Sequence, residues 1–380
     1  MKKLLCMLLA ALMVLTMASF AMAEEAASYK IAVLTGTTSQ GEEEVTAATK
    51  LVETYGAEKV LHDTYPDNFS SEVETTISKL IAFASDPDVK AIIFVQAVQG
   101  AVSAFTQIRD SLGRDDILLI AGVPAEDPAD ISAAADIVLA VDEIGCGYQV
   151  ADKAAEWGCD VIVHYSFARH LSYETIVAKR DAMKMTAEGY GIEFVERDCP
   201  DPTGDAGMSG AQAAVLEDVP KVMQEYAGKK VCFYCTNCGI QVALQQAVLA
   251  AGDDAYYALP CCPSPFHGYQ EAFGLDATYG DVEGAIVNLA NFLDENGAAG
   301  RFSSWAIPVN MSMINASYEY ACAYAEGKIE KVDEAFLTEC FSEAAGSEAI
   351  LGKYTNANGE ELANYYLIQF SPIDFNDYIG

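Results

Sequence analysis

Ala91-Ile92-Ile93-Phe94-Val95 carries no polar side chain over five positions. A strand with one wet face alternates apolar and polar residues, whereas a strand covered on both faces reads as an unbroken apolar run. The run therefore predicts an inner strand of a parallel sheet with helices above and below. Its flanks agree. Upstream, Val73, Ile77, Leu80, Ile81 and Ala84 recur at helical spacing, behind a possible capping box of Ser71 and Glu74. Downstream, Val102, Phe105, Ile108 and Leu112 mark the next helix.

The same alternation extends in both directions. Tyr29–Leu34 and Lys59–His62 read as strands, separated by a helix carrying Val45, Ala48, Val52 and Tyr55 behind Ser39 and Glu42. Ile117–Ala121 and Ile137–Val141 are two more strands. The grammar restarts near residue 144, with strands at Val161–Tyr165, Ile192–Val195, Lys230–Tyr234 and Ala255–Leu259. Helices at Tyr173–Tyr190, around Ala211–Tyr226 and at Ile240–Ala251 separate them. A long helix is expected over Val282–Asn296, a strand at Phe302–Ile307, a helix at Met311–Ala325 and an apolar strand near Tyr365–Phe370. Two successive βα series predict an α/β protein of two doubly wound parallel-sheet lobes joined by a hinge. Residues 24–143 plus about 308–330 form the first lobe, 144–307 the second, and 331–380 an extension packed on the lobes. Gly145 and Gly147 supply backbone freedom for a hinge near residues 142–146.

The N-terminus carries an address. Met1-Lys2-Lys3 is basic, Leu4 to Met17 is almost wholly apolar, and Ala21-Met22-Ala23 is a small-x-small cleavage site. That order predicts a signal peptide over residues 1–23 and an exported protein, periplasmic or extracellular, with no direct membrane insertion after cleavage. The apolar stretch is shorter than the ~20 residues of a spanning helix. Hydrophobic content of 52% with 21% charged residues excludes a disordered chain. The net charge of −34 becomes two units more negative once Lys2 and Lys3 leave. So acidic a surface repels phosphate backbones, which excludes nucleic acid as a partner, and it favours cations.

Two α/β lobes behind an export signal resemble the type I periplasmic solute-binding proteins, over nearly all of residues 29–330. The most specific local match is Phe233-Tyr234-Cys235-Thr236-Asn237-Cys238, leading into Ala243 and Ala247. In that family a strand is followed by an Asn-Asp pair whose Asn touches the ligand. Asn237 matches it, and Cys238 stands where the Asp would be. Ser303-Ser304-Trp305-Ala306-Ile307-Pro308 resembles the family's last crossover strand, with Ala306 in place of a ligand-binding Gln. The end of Ala255–Leu259 reads Pro260-Cys261-Cys262-Pro263, where sugar binders carry an Asp. The resemblance implies a small-molecule ligand and a membrane transporter or sensor as partners. The departures leave the ligand class open.

Ligands of open parallel sheets sit at the carboxyl ends of strands, near topological switch points. That rule selects Thr35, Thr37, Thr38 and Gln40 after the first strand, whose hydroxyls and amides suit a carbonyl or anion. Ser39 reads as a simple cap. Tyr65 follows the second strand; Gln96 and Gln99 follow the third. The second lobe supplies Tyr165, Ser166, Arg169 and Asn237, with His170 beside them and Trp305 near the last crossover. Arg169 either clamps an anion or pairs with a surface carboxylate. Tyr65, Tyr165 and Trp305 either sandwich a flat ligand or pack in the core.

The expected function is capture of a small molecule between the lobes, for uptake by an ABC-type transporter or for sensing. No cofactor, metal site or catalysis is expected. The chain holds no Gly-x-Ser-x-Gly elbow, no Walker loop and no complete G-x-G-x-x-G after a strand. The alternative is a metal- or thiol-redox-active protein using Cys232, Cys235 and Cys238 with Cys261 and Cys262. Against it, Cys232 and Cys235 should point to opposite faces of their strand. A Cys235–Cys238 disulfide is a further option.

Overall fold

A computed structural model describes residues 29–276, 280–356 and 358–380. The proposed signal peptide lies outside the described residues. The chain first lays down β1 (Lys30–Thr35), α1 (Thr38–Tyr55), β2 (Val60–Thr64), α2 (Val73–Ser85), β3 (Val89–Val95), α3 (Ala101–Asp110), β4 (Leu118–Gly122), α4 (Pro128–Ala134) and β5 (Ile137–Val141). The second series is α5 (Glu143–Glu156), β6 (Val161–Ser166), α6 (Glu174–Gly189), β7 (Glu193–Asp198), α7 (Gly207–Glu225), β8 (Val231–Cys235), α8 (Cys238–Ala251) and β9 (Ala255–Tyr257). Then come α9 (Tyr269–Phe273), α10 (Val282–Glu295), β10 (Ser303–Ser304), α11 (Val309–Ala325), α12 (Glu334–Ala345), β11 (Ala349–Thr355), β12 (Glu361–Phe370) and β13 (Ile373–Asp374).

The first sheet runs β11-β12-β5-β4-β3-β1-β2, and the second β7-β6-β8-β9. Pairing is parallel throughout both, except for β11 against β12. Each sheet reverses its winding direction once, between β1 and β3 and between β6 and β8. Those are the switch points that place a ligand. The Ala91–Val95 run behaves as its composition demands. Ala91, Ile93 and Val95 enter one core and Ile92 and Phe94 the other, all fully buried. Second-lobe strands divide the same way. Phe233 and Cys235 face one core, and Cys232 and Tyr234 the other.

Some expectations are not met. Ser39 and Ser71 do not cap helices through their side chains. Ser39 Oγ donates to Asp67, and Ser71 Oγ donates to the Asn68 carbonyl. The expected Phe302–Ile307 strand is cut short: Phe302 forms a single parallel bridge to Tyr257, and Ser303 and Ser304 pair antiparallel to β13. Residues 331–380 are more than an extension laid on the lobes. They add β11 and β12 to the first sheet, with Tyr366, Ile368 and Phe370 in its core. Lys331 pins this segment by donating to Asp136 and the Ile117 carbonyl. Gly145 and Gly147 lie inside α5, not in a loose joint. A Cβ on Gly147 would sit 2.3 Å from the Lys179 carbonyl oxygen, so that glycine lets α5 press against α6. The chain crosses between lobes at residues 141–143, 304–309 and 370–373.

Candidate functional site

The first-lobe wall is built around a break in α1. Gly41 leaves the helical path at φ −167°, ψ 90°, and a Cβ there would meet Glu44 Oε2 at 2.2 Å and Gln96 Nε2 at 2.7 Å. A side chain at this position would have to displace those two side-chain ends. Glu44 is 2% exposed, and its Oε1 accepts from Gln96 Nε2 and Asn310 Nδ2, each at 2.5 Å. Gln96 holds φ +54° and Val123 φ +47°, at the ends of β3 and β4. Such conformations cost non-glycine residues about 1–3 kcal/mol each and gather at functional sites. Both residues line the same cavity. Beside them, Glu43 Oε1 accepts from Ser264 Oγ of the second lobe at 2.7 Å. Burial pushes the Glu43 carboxyl up to about 7, against the opposing pull of that bond.

The second-lobe wall starts at the switch point. Ser166 Oγ and Thr236 Oγ1 are 2.8 Å apart, bridging the ends of β6 and β8. His170 Nδ1 lies 3.2 Å from Thr236 Oγ1, and its Nε2 3.1 Å from Asn237 Nδ2. The amide can only donate, so Nε2 accepts and the ring proton sits on Nδ1. Burial lowers the His170 pKa, consistent with that neutral ring. Asn237 Oδ1 caps α8 by accepting from the Gly239 N–H at 2.9 Å.

At the start of α8 the wall turns to sulfur. Cys238 Sγ lies 2.6 Å from Cys262 Sγ and 3.4 Å from Cys261 Sγ. Cys261 and Cys262 belong to the loop after β9, which is firmly held. Gln241, fully buried, accepts from the Cys261 N–H at 2.5 Å and donates to the His267 carbonyl at 2.8 Å. Trp305 Nε1 donates to the Pro260 carbonyl at 3.2 Å. Hydrogen bonds from Cys261, Cys262 and His267 draw the Cys238 thiol well below its ordinary range. Burial lowers the His267 pKa, but its bonds to Cys238 and Cys262 outweigh that and push it up to about 11. The cluster thus favours charge separation, toward thiolate on Cys238 and imidazolium on His267.

Two adjoining cavities open here. One of about 640 Å³ is lined by Cys238, Met208, Gln212, His267 and Glu271 among others, with Glu43 at its edge. The other, about 380 Å³, lies between Glu43, Glu44, Gln96 and Asn310 on one side and Cys262, Ser264 and His267 on the other. Glu43 and His267 line both.

A family model described as "Protein of unknown function (DUF3798)" matches residues 29–303. The chain belongs to the DUF3798 family. An uncharacterized protein of Treponema pallidum (strain Nichols) is 38% identical over 182 residues, which cover 46% of this chain and 81% of that protein. Among solved structures, one from Clostridium difficile 630, described as a transcriptional regulator, superposes at a TM-score of 0.82. It has 20% identity over 91% of this chain and 99% of that one. A periplasmic solute binding protein of an ABC transporter from Actinobacillus succinogenes 130z, solved with D-allose, gives a TM-score of 0.51 and 12% identity over 92% and 99%. A sugar ABC transporter protein from Actinomyces odontolyticus ATCC 17982 gives 0.52 and 10% over 80% and 86%. The DUF3798 protein therefore has the type I periplasmic-binding-protein fold.

The sequence-selected residues scatter around the cavities. Gln40 and Gln96 line the smaller one. Tyr65 stands behind Gln96, its hydroxyl donating to Gln96 Oε1 at 3.4 Å. Thr35 is buried against His62, Thr37 bonds Asp67, and Thr38 and Gln99 are exposed. Ser166 and Asn237 hold the second switch point together. Arg169 is engaged by Asp201, through Nε at 2.6 Å and Nη2 at 2.9 Å, so its guanidinium fork is already filled. Tyr165 turns to the far core and donates to Asp218 at 3.0 Å. Trp305 is 3% exposed. The three rings do not sandwich a common space, because Tyr65, Tyr165 and Trp305 pack in three separate cores. Sequence reasoning missed Glu43, Glu44, Ser264 and Asn310. The clue was Gly41 followed by Glu42-Glu43-Glu44, a carboxylate run directly after a helix break at a switch point.

Proposed function

We propose that this DUF3798 protein is an exported solute-binding protein that captures a small molecule between its two lobes, for uptake by an ABC-type transporter or for sensing. The observation that carries the reading is the cavity at the lobe junction, with Glu44 and Asn310 on one wall and Cys262 and His267 on the other. It sits outside the carboxyl ends of the strands, as the winding of both sheets requires. The fold shared with the D-allose-binding protein supports the reading. Binding, not turnover, is the proposed activity. Closure follows from bending at the chain crossings, and the solute drives it only by making more contacts with the closed form. Export follows from the N-terminal leader, with cleavage after Ala23. Among the described residues, no helix is long and apolar enough to cross a membrane.

Native mass spectrometry of the secreted protein tests the reading by revealing a co-purified solute. A thermal-shift screen then ranks compounds, since a ligand at 100 times its dissociation constant adds ~2.7 kcal/mol. Absence of any bound or stabilising compound, together with turnover of a substrate, overturns it.

The 2.6 Å approach of Cys238 and Cys262 favours one second reading, a reversible thiol pair. Cys232 takes no part, because it is fully buried and its thiol is hydrogen-bonded to Cys159. Counting free thiols with and without reductant tests that reading; a count unchanged by reductant removes it.

A further inference from the structure

We infer that the sulfur and imidazole cluster on the cleft wall is a metal site, and that the solute captured between the lobes is a thiophilic cation of the Zn²⁺ type. The inference rests on the solute-capture reading above and names its ligand class. Cys238 Sγ, Cys262 Sγ and a ring nitrogen of His267 all lie within 4.8 Å of one another. A tetrahedral ion with Zn–S near 2.3 Å and Zn–N near 2.0–2.1 Å sets its donors roughly 3.5–3.8 Å apart. Small side-chain rotations bring the trio to that spacing.

The donors are held in place before any ion arrives. Cys238 opens α8, and the loop bearing Cys262 and His267 is clamped to that same helix by Gln241. Fixed donors on a rigid element are what a metal site needs. Two thiols and an imidazole suit borderline and soft ions, whereas Mg²⁺ and Ca²⁺ take oxygen ligands. The set is also incomplete. It offers three donors and opens onto both cavities, as a site that loads and releases cargo must. Glu43 reaches the same loop from the first lobe, bonded to Ser264 at 2.7 Å. Its carboxylate is the donor placed to meet the ion from across the gap, and this gives the cation more contacts when the lobes close.

The test titrates metal-free, reduced mature protein with Zn²⁺ alone by calorimetry. Co²⁺ serves as the optical probe for thiolate ligation, and small-angle X-ray scattering follows the shape. The expected result is one ion per chain, a sulfur-to-cobalt charge-transfer band and contraction of the protein. Cys238→Ser and Cys262→Ser each weaken binding by at least ~10-fold, the scale of losing even an outer metal partner. Cys340→Ser, in the first-lobe core, leaves binding unchanged. His267→Gln gives a second readout should a cysteine variant misfold. Failure to bind, or binding that survives Cys238→Ser and His267→Gln, overturns the inference. A native Cys238–Cys262 disulfide that takes up no Zn²⁺ after reduction overturns it as well. Zn²⁺ uptake without contraction upholds the metal site and removes the capture reading. Contraction on another small molecule without Zn²⁺ uptake does the reverse.

Discussion

Glu43 of the first lobe accepts a hydrogen bond from Ser264 of the second at 2.7 Å, directly across the gap where a solute would sit. Two lobes that meet through a partly buried carboxylate are held by a contact that a ligand can replace. Removing Ser264 leaves the carboxylate without this donor, and an orphaned polar group costs about 1–3 kcal/mol. Ser264→Ala is therefore expected to lower stability on that scale. Glu43→Gln combined with Ser264→Ala should cost less than the two single losses added. A double-mutant cycle by urea denaturation checks this, and additivity within about 0.5 kcal/mol would show that the two side chains do not cooperate.

Gly147 makes a prediction whose sign depends on magnitude. Alanine in place of a helical glycine ordinarily gains about 1 kcal/mol. Here the new Cβ would lie 2.3 Å from the Lys179 carbonyl oxygen and 3.2 Å from the Met183 nitrogen. Those are backbone atoms of α6, which cannot rotate aside, and overpacking costs about 1–3 kcal/mol. Gly147→Ala is expected to be destabilising, with Tm falling. A rise in Tm would mean that α5 and α6 slide apart freely.

The fold was legible in the sequence wherever strands were buried on both faces. Ala91–Val95 and, after its leading lysine, Lys230–Tyr234 announced themselves because parallel pairing under two helix layers leaves few polar positions. The site was legible only as a set of strand ends. Gln96 and Asn237 were found because topology places them, but the residues that face the gap depend on side-chain direction. Arg169 shows the difficulty. Its partner Asp201 lies 32 residues away, and nothing local tells a filled guanidinium from an open one. Glu44 shows the converse. Its burial depends on Asn310, 266 residues further along, arriving on α11 after the chain has returned from the second lobe.

His164 predicts acid sensitivity. Its ring is buried beside Phe194 and Tyr234, with centroids 5.7 and 6.2 Å away, and neither nitrogen has a partner. Burial, reinforced by the charges of Arg180 and Lys179, lowers its pKa from 6.5 to about 3. The unfolded chain thus takes up a proton between pH 6.5 and 3 that the folded chain refuses. Stability from this group is complete above pH 6.5 and falls as pH drops, by about 2 kcal/mol at pH 5. His164→Phe should flatten that part of the stability–pH curve. Denaturant midpoints measured from pH 7 to 4.5 decide it, and an unchanged slope would assign the acid sensitivity to other groups.

Truncation at residue 346 asks whether the C-terminal hairpin completes the first lobe or decorates it. β12 pairs in parallel with β5, placing Tyr365 opposite Val138 and Tyr366 opposite Leu139. Tyr366, Ile368 and Phe370 are at most 1% exposed. At about 1.5–3 kcal/mol per buried side chain, their loss removes roughly 5–9 kcal/mol. That rivals the whole stability of an ordinary domain, about 5–15 kcal/mol. It also bares the edge of β5, a template for aggregation. The truncated chain is therefore expected to be insoluble or to lose cooperative unfolding. A soluble truncated protein with a single sharp thermal transition near that of the full chain would instead make the seventh and sixth strands of the sheet dispensable.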